Sequence, residues 1–206
     1  MFIVGIQLGL RVNEYAQTHP TLNLAGDNLP IALCARDITF MARDQSVLPH
    51  TSSSAHYVEV TFRHQKNKNR GQKIRLIKIP GSRDPVKAFQ RLIARSLSLS
   101  APFGLLGYSA VGYLTKSRVT YYIKQSLLRS GTDPAQLPYY NTHSIRIAAA
   151  VLLFQHGMKS TFIKNRVRWK SDQYEEYFRD TEVIALQHSA AIVAQFDSPT
   201  NNIDLD

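Results

Sequence analysis

A single cysteine, Cys34, in 206 residues excludes an internal disulfide, and nowhere do Cys and His stand at the spacing of a structural zinc site. A reducing intracellular setting is the expectation that follows: the nucleus in a eukaryote, otherwise the cytoplasm or nucleoid. Long apolar runs are missing too. Met1 to Ile6 is apolar but has no basic leader and is interrupted at Gln7 and Arg11, so it reads as the start of a buried helix, cut from a longer protein, and as neither a signal peptide nor a membrane span. No repeat, low-complexity block or composition break divides the chain. Acid is scarce: 15 Asp and Glu stand against 25 Lys and Arg, a formal charge of +10. That balance suits a polyanionic partner, with nucleic acid ahead of an anionic membrane surface.

The 44% hydrophobic content is enough for a packed core, and its spacing predicts a mixed α+β chain, mostly helical with a small antiparallel sheet. Phe2, Ile3, Ile6, Leu10 and Tyr15 follow one helical stripe from Phe2 to Ala16, with Arg11 and Glu14 three apart and able to pair. Val58, Val60 and Phe62 alternate with Tyr57 and Glu59, and Lys73 to Ile79 is again extended. The turn chemistry of Gln65 to Gly71 makes the two a basic β-hairpin. Asp84-Pro85 is a cap and first-turn proline for a helix carrying Val86, Phe89, Leu92, Ile93 and Leu97. Ser98 to Gly112 reads as loop. Val119, Ile123 and Leu127 mark a helix ended by Gly131, and Thr142 caps another that runs through His156 to Gly157. Ser160 and Ser171 are candidate caps of two short helices, Glu182 to Phe196 is a last amphipathic segment, and residues 197–206 form a polar tail.

The chemistry concentrates near the C-terminus. His143 and Arg146 stand three apart after a cap, so both project from a first helical turn, where unpaired N–H groups also favour an anion. The run from Thr61 to Arg75 holds Arg63, Lys66, Lys68, Arg70, Lys73 and Arg75 and no acid in sequence. A second cluster, Lys159, Lys164, Arg166, Arg168 and Lys170, lies between the His-x-x-Arg pair and Tyr177. Both suit a phosphate backbone. Singly, each piece also has an ordinary reading: a cap-proximal histidine, a surface arginine, a solvated hairpin tip, a half-buried tyrosine among the chain's 10.

In order and spacing together, Gly9-Leu10-Arg11-Val12-Asn13-Glu14, Asp37-Ile38, Lys66 on a hairpin, His143-x-x-Arg146 and Arg168-Trp169-x-Ser171-Asp172, with Tyr174 and Tyr177 after them, resemble the tyrosine recombinase (phage-integrase type) family nearly from end to end. The Trp169 string looks most like the recombinases of eukaryotic mobile elements. The resemblance implies a DNA breaking-rejoining catalytic core over residues 1–196, without the N-terminal DNA-clamping domain that usually precedes it. It implies site-specific cleavage and rejoining of double-stranded DNA through a 3′-phosphotyrosine, in recombination or integration, by a homotetramer on DNA with Glu182 onward as an inter-subunit element. Arg11 and Arg146 would grip the non-bridging oxygens, His143 assist proton movement, Trp169 donate its indole N–H, Lys66 (or Lys68) protonate the leaving 5′ hydroxyl, and Tyr177 (or Tyr174) attack phosphorus. No metal, small-molecule cofactor or membrane is implied. A type IB topoisomerase would use the same chemistry, and an inactive DNA-binding descendant would keep the same charge. The sequence departs from the family pattern at Val167, often glycine there, and at Ala148 and Ala149.

Overall fold

The computed structural model describes residues 2–16, 24–25, 28–64, 71–110, 112–169, 171 and 175. It is a mixed α+β structure of helices with a small four-stranded antiparallel sheet, which packs against the helix Pro85–Ser98. Helices α1 (Phe2–Leu8) and α2 (Val12–Tyr15) lead to strands β1 (Ile38–Met41), β2 (Val47–Leu48), β3 (Tyr57–Phe62) and β4 (Gln72–Ile77). The sheet order is β2-β1-β3-β4, all antiparallel, with Val58 opposite Phe40 and Leu76. The alternation read in β3 holds: Val58, Val60 and Phe62 are buried against α3 (Pro85–Ser98) while Tyr57, Glu59 and Thr61 are half-exposed. Strands β1 and β2 were not expected. They are four and two residues long, too short for a period to show.

Asp84 caps α3 as expected, its Oδ1 accepting from Val86 N–H at 3.0 Å. Val86, Phe89, Leu92 and Ile93 are buried, but Leu97 is 54% exposed, lining an open groove beside Phe40 and Leu48 of the sheet. Within the stretch read as loop, β5 (Tyr108–Ser109) and β6 (Gly112–Tyr113) form a small hairpin. Helix α4 (Lys116–Arg129) is capped by Thr115 and ends at Gly131, where the Thr132 N–H reaches back to Leu127 O at 3.0 Å. Helices α5 (Ser144–Gln155) and α6 (Ser160–Arg166) complete the described fold. Ala149, Ala150, Ile163 and Val167 pack in a small separate cluster between these two, so the alanines leave room for a close helix pair. The hairpin tip with Lys66 and Lys68, the helix expected after Ser171, the segment from Glu182 and the tail lie outside the described residues.

Three expectations about helix ends are corrected. Ser160 is the first residue of α6 and not its cap, a position held by Lys159 with no side-chain capping bond. The helix read from Phe2 to Ala16 is broken in two: Gly9 has φ +54, and the Leu10 and Gly9 N–H groups bond back to Gly5 O and Ile6 O at 2.9 and 3.2 Å. That paired pattern is the Schellman end of a helix, and it leaves Arg11 in extended backbone as the residue before α2. Thr142 does not cap α5. Asn141 Oδ1 accepts the His143 N–H at 2.8 Å and Ser144 Oγ accepts the Asn141 N–H at 3.0 Å, while Thr142 is buried with its carbonyl 3.5 Å from the Tyr15 hydroxyl.

Gly107 shows how tightly the β5–β6 hairpin is seated on α2. A Cβ there would stand 2.1 Å from the Tyr15 carbonyl oxygen, a backbone atom that cannot swing aside. Gly107→Ala is expected to lower unfolding free energy by about 3 kcal/mol, at the upper end of overpacking costs, read as a lowered midpoint in urea denaturation at unchanged slope.

Candidate functional site

The break after Gly9 is what builds the site. Helix α6 ends in the same bonding pattern as α1: the Trp169 N–H returns to Lys164 O at 3.0 Å and the Arg168 N–H to Asn165 O at 3.2 Å, with Arg168 at φ +58. Arg168 therefore occupies the left-handed position that glycine favours, at a cost of about 1–2 kcal/mol. The two helix ends abut. A Cβ on Gly9 would lie 2.7 Å from Val167 Cγ1, so only glycine lets them meet.

Their exposed carbonyls would be poor company for one another without donors between them, and buried arginines supply those donors. Arg168 Nη1 donates to Leu8 O at 2.9 Å, and its Nη2 donates to Gly9 O at 3.2 Å and to Glu14 Oε2 at 2.6 Å. Its guanidinium lies 4.0 Å from the Phe62 ring centroid. Arg146, from the first turn of α5, donates to Gly9 O at 3.3 Å and to Val167 O. Arg11 donates to Arg168 O at 2.6 Å and pairs with Glu14 at 3.4 Å. The Arg11–Glu14 pair expected from spacing is present, but Glu14 is shared: it joins Arg11 to Arg168, 154 residues away in the chain.

Beside this cluster opens a cavity of about 500 Å³ whose lining includes Arg11, Glu14, His64, His143, Arg146 and Trp169. Four of the six expected site residues, Arg11, His143, Arg146 and Trp169, thus line one space, although they come from three regions of the chain. The guanidiniums of Arg11 and Arg146, which could have lain on opposite sides of the molecule, are close enough for the Arg11 charge to lower the Arg146 pKa. The Arg146 guanidinium lies 5.5 Å from the Trp169 ring centroid, a cation-over-ring contact. Lys66 and Tyr177 lie outside the described residues. His64, two residues before Lys66 in the chain, lines the cavity, and Glu175, two before Tyr177, accepts from Ser160 Oγ at 3.2 Å.

The electrostatics follow from burial and crowding. Arg146 is 2% exposed, and its pKa is pulled down to about 9 by desolvation first, then by Arg11 and Arg168, with Glu14 working the other way. It remains a cation at neutral pH. Arg168 is lowered by the same desolvation and held up chiefly by Glu14. His143 is pushed below its ordinary value by desolvation and then by Arg146, so at pH 7 it is neutral and able to accept a proton. Three guanidiniums and one carboxylate leave an excess of positive charge around the cavity, with α5 beginning at its edge, an arrangement complementary to an oxyanion.

The sequence missed Glu14 as the joint of the cluster, Arg168 as a buried member and His64 as a wall. It also overcounted basic surface. Arg63 is spent on buried Asp37, its Nη2 donating to Oδ2 at 3.0 Å and to Pro30 O at 3.0 Å. Lys73 and Arg75 pair with Glu59 across the strands at 2.9 and 3.2 Å. The acid-free run of sequence is therefore not acid-free in space. Asp37, noted beside Ile38, has a structural role, since its other bond is from the Cys34 N–H at 2.8 Å. Among the described residues no group of His, Cys, Asp and Glu is placed to hold a metal ion, and no helix is long and apolar enough to cross a membrane. No protein-family model, curated protein or solved structure matches the chain.

Proposed function

We propose that this chain is the catalytic domain of a DNA strand transferase of the tyrosine recombinase type. The observation that carries the reading is the convergence of Arg11, the His143–Arg146 pair and Trp169, three separate parts of the sequence, on one electropositive cavity. A scissile phosphodiester placed there meets two guanidiniums, a neutral imidazole and an indole. Arg146 uses two N–H donors on carbonyls and keeps three for a ligand. In the proposed step the Tyr177 phenol oxygen attacks phosphorus, the bond from phosphorus to the 5′ oxygen breaks, and Lys66 delivers a proton to that oxygen as it leaves. His143 takes the phenol proton. The guanidiniums offset the charge that builds on the non-bridging oxygens, which is where fixed cations lower a barrier most. A tyrosine ordinarily titrates near ~10, so a neutral base beside a cationic cavity is what its attack requires.

The test is a nicked duplex from which the cleaved strand diffuses away. Wild-type chain is expected to give an adduct that survives denaturant, and Tyr177→Phe to give none. Loss of the adduct in Tyr174→Phe with retention in Tyr177→Phe would move the nucleophile by three residues. An adduct that persists in the double variant Tyr174→Phe/Tyr177→Phe refutes attack by either tyrosine.

A second reading, a DNA-holding protein that does not cut, has one observation in its favour: Arg146 is almost fully buried and bonded to the backbone of two helix ends, the position of a structural strut. Salt-sensitive DNA binding with no adduct in the wild type would select it.

A further inference from the structure

Across α2 from this cavity lies a second one that strand cleavage does not use. It measures about 250 Å³, and its lining includes Tyr15, Arg95, Tyr108, Ser109, Arg118 and Tyr122 over the apolar Leu92, Leu106 and Val119. It is framed by α3, the β5–β6 hairpin and α4, and the Gly107 approach to the Tyr15 carbonyl locks the hairpin in place as one wall. No acid lines it. Among the described residues neither Arg95 nor Arg118 has a hydrogen-bond or ion-pair partner for its guanidinium, in contrast to Arg63, Arg146 and Arg168. Tyr122 is 46% exposed, and Tyr108 is steadied by Tyr113, which it meets edge to face at 5.3 Å.

Two uncommitted planar cations that line one cavity with tyrosines and apolar side chains match one ligand chemistry: a phosphate joined to a flat aromatic group. Guanidiniums take phosphate oxygens in pairs, and phenol rings stack on a base whose face is open. The cavity falls below the usual size range of drug-sized ligand pockets, so it takes a single unit. Bases within an intact duplex are stacked on both faces and cannot offer one to Tyr122. We infer that this cavity binds one unstacked nucleotide, a nucleoside monophosphate unit, supplied either free or by single-stranded DNA. The inference rests on this cavity alone and stands or falls separately from the cleavage reading.

Isothermal titration of the full chain with dAMP, deoxyadenosine, inorganic phosphate, a single-stranded oligonucleotide and a blunt duplex tests it. Saturable binding of dAMP, with deoxyadenosine and phosphate each weaker by roughly tenfold or more, is expected, from the worth of one stacked base. If only the single-stranded oligonucleotide binds in that manner, the nucleotide comes from DNA; if dAMP also displaces it, the site accepts both sources. Arg95→Ala/Arg118→Ala is expected to weaken this binding by roughly tenfold or more, and Tyr122→Ala by a similar factor. Arg91→Ala/Arg129→Ala, which removes the same charge from outside the cavity, should leave it within about twofold. Circular dichroism and a thermal melt confirm that each variant is folded. The inference is overturned if phosphate binds as well as dAMP, if duplex competes as well as the single strand, or if the two double variants behave alike.

Discussion

Arg168→Ala is expected to destabilise the chain by about 3 kcal/mol, the lower part of the range for breaking a buried ion pair, and to lower its melting temperature by roughly 6–12 °C at this size. Three losses coincide. Glu14, 5% exposed at its side chain, loses its 2.6 Å partner; the Leu8 and Gly9 carbonyls lose donors; and the packing over Phe62 disappears. What keeps the cost from the top of the range is Arg11, which still faces Glu14 at 3.4 Å. Alanine retains the strain of φ +58, whereas Arg168→Gly relieves it and should be the milder change by about 1 kcal/mol. In a double-mutant cycle with Glu14→Gln the two effects should fall short of additivity by at least about 1 kcal/mol. Additive effects would mean that the pair is not coupled and that Arg168 acts through packing alone.

Arg146→Ala is expected to reduce adduct formation by about 100-fold or more, since one well-placed donor to a developing oxyanion is worth ~3 kcal/mol of barrier, while much of the DNA binding, spread over many phosphates, remains. A purely structural strut would also slow the reaction when removed, so a second readout is needed. His143 is held below its ordinary pKa by desolvation and by Arg146, and removing that cation should raise the His143 pKa toward 6.5, followed by NMR titration of the ring. The sign also fixes a stability dependence. With the folded pKa below the unfolded value, the unfolded state binds more protons between the two, so stability attributable to His143 falls as pH drops below about 6.5 and through its folded pKa. In the Arg146 variant that window should narrow. An unchanged His143 titration would show that the two groups do not share the cavity.

Much of the scaffold was legible before any coordinates. The α3 helix follows from Asp84-Pro85 and its apolar period, β3 from Val58, Val60 and Phe62, and the ends of α4 and α5 from Gly131 and Gly157, because capping and alternation are local. The errors also have one physical source. The helix through Arg11 was read as continuous because Gly9 is tolerated inside a helical pattern; whether a glycine continues a helix or ends it is settled by what packs against it, here Val167. Likewise nothing local in Arg168 marks a left-handed backbone, since its bonds run to residues near the start of the chain.

Composition, order and spacing alone determined the fold class, the excess of positive charge and the set of side chains suited to a phosphate, because these depend on residue identity and short-range periodicity. The tertiary structure alone decided which of those charges are available. It withdrew Arg63, Lys73 and Arg75 into pairs with Asp37 and Glu59, buried Arg168 against Glu14, brought Arg11 and Arg146 to one cavity, and left Arg95 and Arg118 uncommitted among the described residues in another. The reason is that a charge is neutralised or desolvated by its neighbours in space, which strand pairing sets for Lys73 and Arg75 and two helix ends meeting across Gly9 and Arg168 set for Arg11, Arg146 and Arg168.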